Sequence, residues 1–164
     1  MFGPGGYRKA PEHKYATMPD NEIKAMPVHL LAAGDCTLFM WATWPRLPLA
    51  LEVMHSWGFR YVTGGAWVKR TRKGKLRWGP GYWLRTVCEP WLIGCIGETQ
   101  REQRNIINLI EAEAREHSRK PPECREVLAR LTPYAWRCEL FAREPWEGND
   151  VWGLETEKFE TADA

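Results

Sequence analysis

Apolar and polar positions change their period several times along this chain. Thr37-Leu38-Phe39-Met40-Trp41-Ala42-Thr43 is a continuous apolar run, which predicts a strand buried on both faces. Leu47, Ala50, Leu51, Met54 and Trp57 follow at helical spacing, and Gly58 closes that helix as a C′ residue. Arg60 to Lys69 reads as a second strand. Strand, helix and strand at this spacing predict a βαβ unit with a parallel sheet. Glu89 to Ile96 is a third strand, ended by Gly97. Pro121/Pro122 to Leu131 is an amphipathic helix with proline at its start, and Arg137 to Ala142 is a further strand. Upstream, Pro19-Asp20-Asn21-Glu22 opens a helix to about Met26, with acids in its first turn. The segment Glu102 to Glu116 mixes both periods and leaves its type open.

Two stretches resist regular structure. Residues 1–17 carry Gly3, Pro4, Gly5, Gly6 and Pro11 and read as an irregular loop. Residues 70–85 carry Gly74, Gly79, Pro80 and Gly81 and read as one long loop, which in a compact domain is usually functional. Length adds that the 164 residues suit one domain with a sizeable core, here spanning 1–153, before an acidic tail at 154–164.

Charge sharpens the picture locally rather than globally. The net charge of +2 does not announce a nucleic-acid protein. Yet Lys69, Arg70, Arg72, Lys73, Lys75, Arg77 and Arg85 follow one another with no acid among them. Trp78 and Trp83 lie among these cations, where an exposed aromatic can stack on a base. The glycine-hinged Gly79-Pro80-Gly81-Tyr82-Trp83-Leu84-Arg85 reads either as a nucleic-acid contact or as a mobile hairpin tip.

Five cysteines form no CxxC pair, and with no secretion signal they read as reduced, cytoplasmic thiols. The four histidines show no metal-ligand spacing, so no metal is expected. No apolar run approaches the length of a membrane span. Nucleophile elbows, phosphate-binding loops, zinc-protease motifs and dinucleotide fingerprints are absent.

The remaining chemistry lies near the C-terminus. Glu116-His117-Ser118-Arg119-Lys120-Pro121 puts Ser, Arg and Lys at a helix entrance, either as an anion site or as a solvated basic turn with a serine cap. Glu139-Leu140-Phe141-Ala142-Arg143 places an acid and a cation around a strand end. There an acid can accept from ribose hydroxyls or simply form a surface ion pair.

In register, these segments resemble the MT-A70 family of adenine N6-methyltransferases. The resemblance runs from about Tyr7 to Gly153. It rests on Tyr15-Ala16-Thr17-Met18, Leu38 to Thr43, Ala50 to Met54 with Trp57-Gly58-Phe59, Trp67-Val68-Lys69, Gly79 to Arg85, Glu89, Glu116 to Pro121, and Glu139 to Arg143. It implies an α/β, Rossmann-like fold that uses S-adenosyl-L-methionine (SAM), circularly permuted, with the catalytic strand first and the cofactor strand last. By this likeness Tyr15 belongs to the active-site loop. Lys120 reaches the methionine carboxylate of SAM, Glu139 and Leu140 line the nucleoside pocket, and Arg143 holds the ribose region. Residues 69–85 grip DNA or RNA, and a homo- or heterodimer is compatible with the family.

The chain also departs from the family pattern. The signature Asp-Pro-Pro-Trp, whose acid orients the adenine amine, does not occur. The expectation is that the N-terminal catalytic strand is missing and that a start lies upstream. Leu154 stands where relatives usually carry Asn, and Asn149 where Trp is common. The competing expectation is a non-catalytic nucleic-acid-binding relative or partner subunit.

Overall fold

A computed structural model describes residues 17–81, 83–99, 101–116 and 119–158. The chain divides into two units, Met1–Ala66 with Glu89–Thr99, and Trp67–Cys88 with Gln100–Ala164.

The first unit begins with α1 (Asp20–Ala25), followed by a 3-10 turn at Val28–Leu30 and strand β1 (Cys36–Trp41). Helix α2 (Leu47–Ser56) follows a 3-10 turn at Trp44–Arg46. Gly58 at φ 85° ends α2, as its position in the sequence requires, because a side chain is strained there. The indole N–H of Trp57 donates to the Ile23 carbonyl at 2.8 Å and ties α2 to α1. Exposed ion pairs Lys24–Glu52 and Arg46–Asp20 join the same two segments.

Strand β2 (Arg60–Arg70) passes from the first unit into the second, and β3 (Cys88–Ile96) returns. The strand neighbours run β1-β3-β2 and then, at the C-terminal end of β2, β4 (Leu109–Glu113). β1 and β3 are antiparallel, with Phe39 opposite Ile93. Lys69 N–H bonds the Val87 carbonyl while Gly64 lies against Trp91 and Leu92, so β2 is antiparallel to β3 too.

This corrects the expected parallel sheet. β1 and β2 do point the same way, as their helical crossover demands, but β3 is inserted between them and runs against both. The burial expectation moves with it. β1 is half-buried throughout, whereas Pro90 to Cys95 of β3 is buried at every position. The central strand is covered on both faces. Phe39 stacks on Trp91 with ring centroids 5.0 Å apart. Gly94 is the point where α2 meets the sheet: a Cβ there would lie 2.7 Å from the Met54 sulfur.

In the second unit β4 resolves the open segment as a strand, with Ile110 and Ala112 buried and their neighbours exposed. The buried Trp67 indole N–H donates to the Ala112 carbonyl at 3.2 Å. Residues 71–75 form a turn closed by an antiparallel bridge between Arg70 and Leu76, with Gly74 at φ 72°. Helix α3 (Glu123–Leu131) and the short strands β5 (Cys138–Leu140) and β6 (Asp150–Trp152) complete the unit. β5 and β6 pair in parallel, with Glu139 opposite Val151 and Leu140 opposite Trp152. β5 is shorter than the predicted strand because Phe141 turns out of it at φ 61°. Among the described residues no helix is long and apolar enough to cross a membrane.

Candidate functional site

The parallel pair β5–β6 has its carboxyl ends at Leu140 and Trp152. Ligands of open α/β sheets collect at such ends. Phe141 holds a left-handed backbone that costs a non-glycine residue on the order of 1–3 kcal/mol. The turn lets the Ala142 N–H bond the Trp152 carbonyl at 2.9 Å and buries Ala142. Gly153 makes this possible, since a Cβ there would sit 2.6 Å from the Ala142 carbonyl oxygen. The Phe141 and Trp152 rings meet edge to face at 5.6 Å, and both remain about half exposed.

Around this strand end stands a charge network. Arg119 is buried, and its Nε and Nη2 lie 2.8 and 2.7 Å from Glu144 Oε2. Glu144 also receives Arg115 at 3.5 Å. Arg119 reaches Glu116 at 3.3 Å. The Glu116 carboxyl is held below its ordinary range, first by its own backbone amide and then by Arg119. Arg125, on α3, donates twice to Glu139 and lies over the Trp146 ring at 5.0 Å. Cys124, on the first turn of α3, is pushed up to about 12 by burial and then by the Glu139 charge, with Lys120 among the opposing charges.

Lys120 precedes α3 at its entrance, Glu139 is held to the same helix by Arg125 at 2.8 Å, and Leu140 is half-buried in β5. Arg143 sits one turn beyond and pairs with Glu155 at 3.0 Å. Leu154 is 87 % exposed. Tyr15 lies outside the described residues.

The basic loop is more differentiated than its sequence. Lys69 lies over the Trp67 ring at 5.0 Å, and Arg70 pairs with Glu111 at 3.0 Å. Arg85 donates to the Gly79 carbonyl at 3.0 Å and lies over the Trp78 ring at 5.8 Å. Those three cations help hold the loop. Arg72, Lys73, Lys75 and Arg77 are exposed, as is Trp83 at 90 %.

Sequence reasoning missed Arg125, Glu144 and the inward turn of Arg119. Their partners lie 14 to 25 residues away, so no local motif marks them. A separate open hollow in the first unit, about 560 Å³ and lined by Leu51, His55, Arg60 and Tyr61 among others, contains none of the expected site residues.

The sequence profile described as MT-A70 matches residues 6–155. The chain belongs to the MT-A70 family. A type II methyltransferase, M.MunI of a Mycoplasma species, is 33% identical over 145 residues, covering 87% of this chain and 60% of that protein. An N(6)-adenosine-methyltransferase MT-A70-like protein of Arabidopsis thaliana is 36% identical over 134 residues, 80% of this chain and 19% of its own length. The human N(6)-adenosine-methyltransferase catalytic subunit METTL3 is 33% identical over 135 residues, 80% of this chain and 23% of its own. The chain therefore spans less than two thirds of the length of these relatives. The family carries a Rossmann-like methyltransferase fold and uses SAM as methyl donor.

The residues present fit SAM in kind. Lys120, just before α3, carries an ammonium that suits a carboxylate, and Glu139, in the parallel strand β5 two residues before the left-handed turn at Phe141, carries a carboxylate that suits hydroxyl groups. Both bonds from Arg125 fall on Oε2 of Glu139.

Proposed function

We propose that this chain binds SAM at the β5–β6 end and methylates the N6 amine of adenine in nucleic acid. The carrying observation is the MT-A70 match together with the parallel β5–β6 end, where Arg125 of α3 holds Glu139 and Phe141 turns the chain. SAM supplies an activated methyl group with its own leaving group. The chain's part is positioning. Lys120 pairs with the methionine carboxylate. Glu139 accepts a ribose hydroxyl, Leu140 lines the nucleoside, and Arg143 secures the ribose region. Exposed Arg72, Lys73, Lys75 and Arg77 face phosphates, and Trp83 stacks on a base. The order of segments, with β5–β6 last, supports a permuted arrangement.

A second reading has its own observation: exposed Arg72, Lys73, Lys75, Arg77 and Trp83 form a basic, aromatic segment that needs no cofactor to hold nucleic acid. On that reading the chain binds nucleic acid without transferring methyl groups. Calorimetry with SAM, and transfer of labelled methyl from SAM to adenine-containing DNA and RNA, separate the two. Micromolar SAM binding with label in N6-methyladenine supports the enzyme. Nucleic-acid binding without SAM binding or transfer supports the second reading and overturns the first.

A further inference from the structure

Two aromatic rings stand almost wholly in solvent on one short turn of the second unit. Tyr134 is 88 % and Trp136 93 % exposed. They lie between α3 and β5, on the side of α3 remote from its entrance at Lys120. The turn itself is well tied. Thr132 donates through both N–H and Oγ1 to the Leu128 carbonyl, at 3.0 and 3.1 Å. Ala135 N–H bonds the Thr132 carbonyl at 3.2 Å, and the Arg137 guanidinium donates to that same carbonyl. Arg137 is also stacked over Trp146 at 5.9 Å. An ordered turn that holds two large rings in water gains nothing from burial on folding.

The surroundings are basic. From Val127 to Cys138 the chain carries Arg130 and Arg137 and no acid. Segment 101–104 is fastened to the same helix end. Glu102 N–H bonds the Leu131 carbonyl at 3.2 Å, and Arg130 Nε donates to Gln103 Oε1 at 3.0 Å. That places exposed Arg101 and Arg104 at the end of α3 where the turn begins, with Glu102 and, one helical turn before Arg130, Glu126 as the neighbouring acids. Rings for base stacking beside guanidinium groups for phosphates make a platform for single-stranded nucleic acid.

We propose that the Tyr134–Trp136 turn, with Arg101, Arg104 and Arg130, is a second nucleic-acid contact that takes unpaired bases. The proposal deepens the functional reading above and rests on its nucleic-acid part. The basic charge favours nucleic acid over an apolar protein partner.

The test is fluorescence anisotropy of the full chain with labelled single-stranded and double-stranded oligonucleotides of mixed sequence, at low and raised salt. The double variant Tyr134→Ala/Trp136→Ala should lose roughly tenfold or more in single-strand affinity. It should lose little for duplex, and Trp136→Phe should restore part of the loss. Arg104→Gln should weaken binding and flatten the salt dependence. SAM affinity should be unchanged in all of them. Wild-type binding that the double variant leaves intact overturns this proposal while the functional reading stands. A chain that binds no nucleic acid overturns both. Loss of a wild-type oligomer in the double variant, with nucleic-acid affinity unchanged, marks the turn as a protein interface and overturns the proposal.

Discussion

Arg125 donates twice to one oxygen of Glu139, Nε at 3.2 Å and Nη2 at 2.8 Å. Its Nη1 donates to the Pro145 carbonyl at 2.9 Å. One guanidinium on α3 therefore fixes both a carboxylate of β5 and the segment that follows the strand. A planar fork can do this; a lysine ammonium cannot. Arg125→Met leaves Glu139 and the Pro145 carbonyl without their donor and should cost about 1.5–3 kcal/mol of stability. Arg125→Lys should recover part of that loss. Urea unfolding followed by circular dichroism reads both, and an unchanged midpoint in Arg125→Met would show the pairing to be energetically empty.

Lys120→Ala separates cofactor binding from fold. Lys120 precedes Pro121, which is fully buried and sets the entrance of α3, so the backbone there is fixed independently of the lysine side chain. Loss of one charged hydrogen bond should weaken SAM about 10- to 100-fold, with little change in the melting temperature. Calorimetry with equal SAM affinity in variant and wild type would remove Lys120 from the site.

The loop predicts a salt signature. Arg70 and Arg85 are engaged with Glu111 and with Gly79, whereas Arg72, Lys73, Lys75 and Arg77 are exposed. Changing Lys73 and Lys75 to Gln should flatten the slope of log affinity against log salt by about 0.7–0.9 for each phosphate that is no longer neutralised. Trp83→Ala should weaken binding while leaving that slope in place. Titrations at several salt concentrations distinguish these results, and a slope unmoved by the lysine changes would exclude the two lysines from the phosphate-binding face.

Local pattern made α2, α3 and the turn at Gly58 legible, because periodicity and a positive-φ glycine are written within a dozen residues. The order of the strands was not. Thr37 to Thr43 and Pro90 to Cys95 are both apolar runs, and nothing within either says which one lies between two others. At the site, Lys120 and Glu139 were visible as chemistry at a helix entrance and a strand end. Arg119 was visible only as another basic residue. Its burial against Glu144 depends on the chain returning through β5, which brings together positions 25 residues apart. Trp146 shows the same limit. Nothing beside it in the sequence marks its surroundings, yet the guanidinium groups of Arg125 and Arg137 lie over its ring at 5.0 and 5.9 Å.

The Cys124 thiol gives the site a signature at alkaline pH. Burial, and then the Glu139 charge, raise it from 9.0 to about 12 in the folded chain. Below pH 9 the thiol is protonated in both folded and unfolded states, and the stability it contributes is fully present. As pH rises from 9 towards 12, the unfolded thiol gives up its proton while the folded one keeps it. Stability should then fall by up to about 1.4 kcal/mol per pH unit from this group alone. Other groups titrate in the same window, so the measurement is a difference. Unfolding free energies of wild type and Cys124→Ala, taken from about pH 8 to pH 11, should converge as pH rises, because the variant lacks the loss. At neutral pH the folded thiol should also resist alkylation far longer than exposed Cys138. Parallel pH profiles for the two chains, or rapid alkylation of Cys124 in the folded protein, would mean that this thiol is not buried against Glu139.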